Sequence, residues 1–181
     1  MKIVHSVICV LEIALLTSCR PMLPQLNKAD STVVLTLECS QDSIYSIDEL
    51  QCHVYLLNQS GSNILVHTRL LCMPYPTPPS LAELSLSMTD ASGTYIQFQG
   101  HARYQLPDAD TLGVLKVGEQ ITKVVYPSEW FQDNMFTKGE KYTIGVIYQN
   151  EFDVTQTIDG VEVSSWIGSI QSNEVTFTIL P

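Results

Sequence analysis

Apolar and polar side chains alternate along most of this chain with a period of two residues. After Thr32 the alternation is strict, because one face of an extended segment carries Val33, Leu35, Leu37 and Cys39. A period of two residues is typical of a β-strand that buries one of its faces. The same pattern returns in residues 50–56, 64–68, 81–88, 94–99, 121–126, 142–149, 153–158, 161–167 and 174–180.

Turn-forming residues separate these segments and indicate how the strands are connected. Clusters rich in Gly, Asn, Asp and Ser occur at 58–61, 90–93 and 159–160, where they favour tight turns between strands. A helical spacing of apolar residues is not sustained anywhere, and residues 127–135 are expected to hold one helical turn. The sequence therefore predicts an all-β chain, folded as a single antiparallel β-sandwich of the immunoglobulin type with about eight or nine strands.

The N-terminal segment differs from the rest of the chain. Residues 6–16 are apolar except for Glu12. Because a membrane-spanning helix needs about 20 apolar residues, we interpret this shorter segment as a cleaved secretory leader. The predicted organisation is a signal peptide at 1–18, a tether at 19–31 and an immunoglobulin-like domain at 32–181.

The end of the leader resembles the lipobox of bacterial lipoproteins in the residues Leu16, Thr17, Ser18 and Cys19. The resemblance implies that Cys19 is diacylated, that the leader is removed before it, and that the new N-terminus is acylated. Several acyl chains together anchor a protein durably in a membrane. We therefore expect a lipid-anchored protein of the cell envelope, at the outer membrane or the outer face of the plasma membrane. The alternative is an ordinary signal peptide in which Cys19 has no special role.

Two motifs in the second half of the chain resemble bacterial immunoglobulin-like domains. They lie at residues 115–119 and 138–144, and residues 166–177 are similar to the final hairpin of many such secreted modules. The resemblance implies a fold and no particular activity. The first pattern is also similar to one in the BsuPI-like proteinase inhibitor family, which implies an alternative function in which an exposed loop occupies a protease cleft.

Three cysteines follow Cys19, and their places in the alternating pattern indicate one possible disulfide. Cys39 ends the first predicted strand, and Cys52 lies at the start of the second. A symmetric antiparallel hairpin would place these two residues opposite each other, within bonding distance. The alternative is that both remain buried thiols that pack as small hydrophobic side chains. Cys72 is the predicted free thiol, with a structural role.

The sequence contains no catalytic, phosphate-binding or dinucleotide-binding motif, and it predicts no metal and no cofactor. A net charge of −10 disfavours nucleic acid as a partner, because phosphates repel an acidic surface. We therefore predict a non-catalytic domain that binds an envelope protein or a glycan. The candidate contact residues are Tyr75, in a proline-rich segment, and Tyr104, in the long loop at 100–113.

A second alternative is an enzyme whose site is assembled from loops. The candidate catalytic residues of such a site are His101 together with Asp108 or Asp110. The other histidines of the mature chain, His53 and His67, are expected on strands of different sheets, so they are not predicted to share a metal ion.

Overall fold

The computed structural model describes residues 33–75, 82–98 and 107–181. These residues form thirteen strands and no α-helix, so the predicted all-β fold is confirmed. The strands are β1 (Val33–Cys39), β2 (Ser43–Ile44), β3 (Cys52–Asn58), β4 (Ile64–His67), β5 (Cys72–Pro74), β6 (Leu84–Asp90), β7 (Leu112–Leu115), β8 (Gln120–Val125), β9 (Lys141–Asn150), β10 (Thr155–Ile158), β11 (Val161–Ser164), β12 (Gly168–Gln171) and β13 (Val175–Ile179). Short 3-10 turns lie at Ile47–Glu49, Ala109–Thr111, Pro127–Glu129 and Asp133–Met135.

Several predicted features lie outside the described residues. They are the signal peptide at 1–18, the tether at 19–31 with the lipidation candidate Cys19, and the loop residues His101 and Tyr104. Within the described ranges, no helix is long and apolar enough to span a membrane.

Two sheets pack face to face around the main core. The smaller sheet has the strand order β1-β3-β8, and the larger has the order β2-β13-β9-β6-β5, with β12 also beside β9. Apolar side chains from both inner faces share one buried cluster, which includes Leu37, Val54, Leu86, Ile144 and Phe177. Full burial of one such side chain contributes about 1.5–3 kcal/mol. This shared apolar layer is what makes the two sheets a sandwich.

The two sheets divide the long strands between them. β1, β3 and β8 form the smaller sheet, and β6, β9 and β13 lie side by side in the larger one, while the immunoglobulin type stays a prediction. The strand count exceeds the predicted eight or nine. The additional strands β2, β5, β7 and β12 have two to four residues each, which is too short for alternation to be recognised.

A disulfide joins the first two long strands of the smaller sheet. Cys39 lies opposite Cys52 in the antiparallel register of β1 and β3, their Cα atoms are 4.0 Å apart, and their sulfur atoms are bonded. A cross-link that closes a loop of about this size stabilises a fold by about 3 kcal/mol. Cys72 is a free buried thiol, and burial raises its pKa to about 12. Its thiol therefore stays protonated and unreactive at neutral pH.

The side chain of Asn173 connects the two sheets at their edge. β12 and β13 pair with the same edge of β9, and residues 172–174 interrupt them. The Asn173 amide accepts a hydrogen bond from the Leu37 N–H and donates one to the Leu37 carbonyl, both at 2.9 Å. It thereby satisfies backbone groups on the outer edge of β1 that would otherwise lack a strand partner.

A second, smaller apolar cluster lies beside the main core. β4 pairs with β7, and β10 pairs with β11 through a turn in which Asp159 and Gly160 both have positive φ. Leu65, Leu112 and Val163 are buried in this cluster. The β10–β11 hairpin is thereby fixed to the sandwich by side-chain packing.

Candidate functional site

Two tyrosines lie together on the outer face of the larger sheet. The rings of Tyr75 and Tyr95 are 4.9 Å apart between centroids and are inclined by 34°. Both side chains are half-buried, so part of each ring faces solvent. The sequence predicted a contact role for Tyr75 but did not single out Tyr95, and the other predicted contact, Tyr104, lies outside the described residues.

Tyr75 is positioned by a parallel strand pair at the edge of the larger sheet. β5 runs parallel to β6 with Pro74 opposite Leu86. Tyr75 extends this pairing, because its backbone N–H donates to the Leu86 carbonyl at 2.7 Å. The proline-rich segment in which Tyr75 was predicted as a contact residue therefore begins as an edge strand. Pro74 suits that place because an edge strand tolerates a missing N–H donor.

Tyr95 is positioned by a tight turn at the other end of β6. The Asp90 carboxylate accepts hydrogen bonds from the Ser92 hydroxyl and from the backbone N–H groups of Ser92 and Thr94. These bonds, led by that of the Ser92 hydroxyl, lower the pKa of Asp90. The chain then returns beside β6, where Tyr95 forms a single bridge with Thr89. In place of the predicted hairpin between strands at 81–88 and 94–99, the described residues therefore show β6 and a single bridge to Tyr95.

A carboxylate and a glycine complete the outer face beside the tyrosines. Partial burial, the Tyr75 phenol and the Glu174 carboxylate together raise the pKa of Tyr95, so its hydroxyl remains protonated at neutral pH. Gly145 leaves a shallow space in the sheet surface, in which an added Cβ would lie 3.5 Å from Ser87 Oγ and 3.7 Å from Glu174 Cγ. The exposed Glu174 side chain therefore lies across the space that Gly145 leaves open.

An open pocket of about 230 Å³ adjoins Tyr95, and its wall includes Ile96, Gln97, Asn134 and Met135. The amides of Gln97 and Asn134 are on exposed residues, and within the described part of the chain neither has a hydrogen-bond partner. We call the group formed by Tyr75, Tyr95, Gln97, Asn134 and Glu174 the tyrosine surface. It combines two aromatic rings, two amides and one carboxylate.

A fully buried carboxylate anchors the segment that leads into β5. Glu83 accepts a charge-assisted hydrogen bond from Arg69 Nε at 2.6 Å and another from the Leu71 N–H at 2.8 Å. The backbone N–H groups of Glu83 and Leu84 both donate to the Leu71 carbonyl. A buried carboxylate is stable only when it is paired and hydrogen-bonded in this way. Glu83 therefore fixes the start of β5 and, through β5, the position of Tyr75.

His67 contacts the same carboxylate from β4. Its Nδ1 lies 3.7 Å from Glu83 Oε1 and 2.8 Å from the hydroxyl oxygen of Thr111. Burial lowers the pKa of His67, although the charge of Glu83 opposes this effect. The His67 ring is therefore neutral at pH 7. Its backbone N–H donates to the buried hydroxyl of Tyr148 at 2.9 Å.

Asp108 of the predicted enzyme site has a local structural role. The Asp108 carboxylate accepts a hydrogen bond from the Asp110 N–H and caps the 3-10 turn Ala109–Thr111. The Asp108 carbonyl accepts a hydrogen bond from the Thr111 hydroxyl. Their predicted partner His101 lies outside the described residues. The structure thus shows Asp108 as a capping residue.

The remaining histidines do not form a shared site. His53 lies in β3 of the smaller sheet and His67 in β4, which pairs with β7. In residues 33–75, 82–98 and 107–181, no group of three or more His, Cys, Asp or Glu side chains is placed to hold a metal ion.

No protein-family model matches the sequence, and no curated protein matches it. The members of the tyrosine surface are therefore assigned by their geometry. Tyr95 follows a recognisable turn signal at 90–93, but its closeness to Tyr75 depends on the parallel pairing of β5 with β6. Gln97, Asn134 and Glu174 carry no motif, so no sequence signal indicates them.

We expect Glu83→Gln to lower the free energy of unfolding by about 3 kcal/mol, because it leaves Arg69 without its buried counter-charge. Urea denaturation measures this change. Amide hydrogen exchange should also accelerate in residues 71–75, while β9 stays protected. The control is Glu162→Gln on the exposed β10–β11 hairpin, for which we expect less than about 0.5 kcal/mol. Unchanged exchange in residues 71–75 would show that Glu83 does not anchor β5.

The lowered pKa of His67 predicts how stability depends on pH. The unfolded chain binds a proton at this histidine near pH 6.5, whereas the folded chain binds it only at lower pH. Stability from neutral His67 is therefore present above about pH 6.5 and is lost as the pH falls through the folded pKa. We expect the loss of stability between about pH 7.5 and 5.5 to be smaller in His67→Gln. Replacement of the exposed Thr157 on β10 by Ala removes no titratable group, so this control should keep the wild-type pH profile.

Proposed function

We propose that this chain is a lipid-anchored protein of the cell envelope whose β-sandwich is a non-catalytic binding domain. The observation that carries the proposal is the tyrosine surface, where Tyr75 and Tyr95 stand together outside the core. The proposed partner is an envelope protein or a glycan. Tyrosine suits such a contact because its ring offers apolar area and its hydroxyl offers a hydrogen bond.

The way in which the two tyrosines are held supports a binding role. Tyr75 is hydrogen-bonded to Leu86, and Tyr95 is bridged to Thr89, so both positions are set by the same strand, β6. A surface that is ordered before its partner arrives loses less conformational entropy on binding. The tyrosine surface is therefore a preorganised contact.

The proposed anchor is Cys19, in the segment that resembles a lipobox. The tether from Cys19 to the first strand would reach about 40 Å when fully extended. This reach allows the tyrosine surface to meet a partner away from the lipid layer. The protease-inhibitor alternative, in which an exposed loop occupies a protease cleft, stays a prediction.

The proposal predicts separate effects for the anchor and for the surface. In a bacterial host, the full chain should incorporate a palmitate analogue and sediment with membranes, and Cys19→Ser should lose both properties. Chemical cross-linking of whole cells should give an adduct with an envelope component. Tyr95→Ala should remain in the membrane but lose most of this adduct.

The matched control is Tyr45→Ala. Tyr45 is 62% exposed and follows β2, at the opposite edge of the larger sheet from β5. Its replacement should leave both the membrane fraction and the adduct unchanged. If Cys19→Ser still sediments with membranes and keeps the label, the anchor is wrong. Equal adducts from wild type and Tyr95→Ala would reject the tyrosine surface as the contact.

A further inference from the structure

We infer that the ligand of the tyrosine surface is a neutral glycan built of pyranose sugars. This inference rests on the proposed binding function and specifies the chemical class of its ligand. It follows from three properties of the surface: the arrangement of its rings, the chemistry of its pocket and the sign of its charge.

The two rings suit the apolar face of a sugar. A pyranose ring presents C–H groups on its faces and hydroxyl groups around its rim. The rings of Tyr75 and Tyr95, with centroids 4.9 Å apart and planes inclined by 34°, stack on each other, and their half-exposed parts offer aromatic carbon to such faces. The backbone bonds of both residues to β6 hold this stacked pair in place.

The pocket beside the two tyrosines suits the hydroxyl groups around the edge of the same sugar. Gln97 and Asn134 line a space of about 230 Å³ next to Tyr95. Each amide donates and accepts hydrogen bonds at once, as vicinal hydroxyl groups do. Asn134 is held in place because the neighbouring Asp133 accepts a hydrogen bond from the Ile47 N–H at 2.8 Å. A site with an apolar floor and a few placed polar groups is typical for a small polar ligand.

The charge of the surroundings selects against an anionic ligand. The charge of Glu174 acts on the Tyr95 hydroxyl, Asp90 organises the turn before Tyr95, and Asp133 precedes the pocket residue Asn134 in the chain. The whole chain carries a net charge of −10. Acidic polysaccharides would therefore be repelled, whereas an uncharged glycan pays no such cost. The amides of Gln97 and Asn134 favour a hydroxyl-rich ligand over a proline-rich peptide, which offers few donors.

Isothermal titration calorimetry on the full chain tests this inference. The probes are chitohexaose and cellohexaose as neutral glycans, oligogalacturonate as an anionic glycan, and a proline-rich peptide. We expect saturable binding of a neutral hexasaccharide. Tyr95→Ala should weaken it about tenfold or more, and Tyr45→Ala should leave it unchanged.

A second variant separates binding from folding. Gln97→Ala removes an exposed amide that lines the pocket and has no hydrogen-bond partner within the described residues. We expect it to weaken binding of the hexasaccharide while the thermal unfolding midpoint does not fall, since an exposed side chain without such contacts contributes little to stability.

The outcomes distinguish the inference from the function on which it rests. Binding of only the peptide or only oligogalacturonate, lost in Tyr95→Ala, would overturn the glycan class and leave the binding function intact. Absence of binding to all four probes, while the cellular adduct still depends on Tyr95, would also overturn the glycan class. If neither the probes nor the cellular adduct depend on Tyr95, both proposals fail.

Discussion

The buried carboxylate of Glu83 is the interaction on which the arrangement of the candidate site depends. It lies immediately before β6 and holds both the Arg69 guanidinium and the Leu71 N–H. Its burial costs free energy that only these charged and polar partners offset. Because Leu71 precedes β5, the carboxylate determines where β5 meets β6. The buried Glu83 carboxylate therefore fixes the edge of the larger sheet at which Tyr75 lies.

Strand β6 fixes the relative positions of the segments that hold Tyr75 and Tyr95. One of its edges pairs with β9, and the other is shared between β5 and the chain around Tyr95. Two segments that are distant in sequence are thus bonded to one strand, and their tyrosines meet. Where β12 and β13 are interrupted, Asn173 ties β1 to the larger sheet. The charge of the neighbouring Glu174 helps to raise the pKa of Tyr95. The tyrosine surface therefore arises because β5 and the segment around Tyr95 both bond to the same edge of β6.

The alternation of side chains predicts the long strands because it is a local property. β1, β3 and β9 each bury one face along their length, and the opposed positions of Cys39 and Cys52 follow from a symmetric hairpin. Glu83 is different, since its polar character suggests a solvent-facing position in residues 81–88. It is buried because Arg69 and Leu71 approach from a segment that pattern alone does not place. The pairing of Tyr75 with Tyr95 is likewise non-local, and it depends on the three-residue strand β5.

The central claim is that the tyrosine surface is the face through which the anchored domain meets its partner. Its most direct test is a photo-activatable phenylalanine analogue placed at position 95, and in a second strain at position 45, in living cells. The account predicts that irradiation joins an envelope component to the chain at position 95 and not at position 45. Adducts from position 45 alone, or equal adducts from both positions, would contradict it.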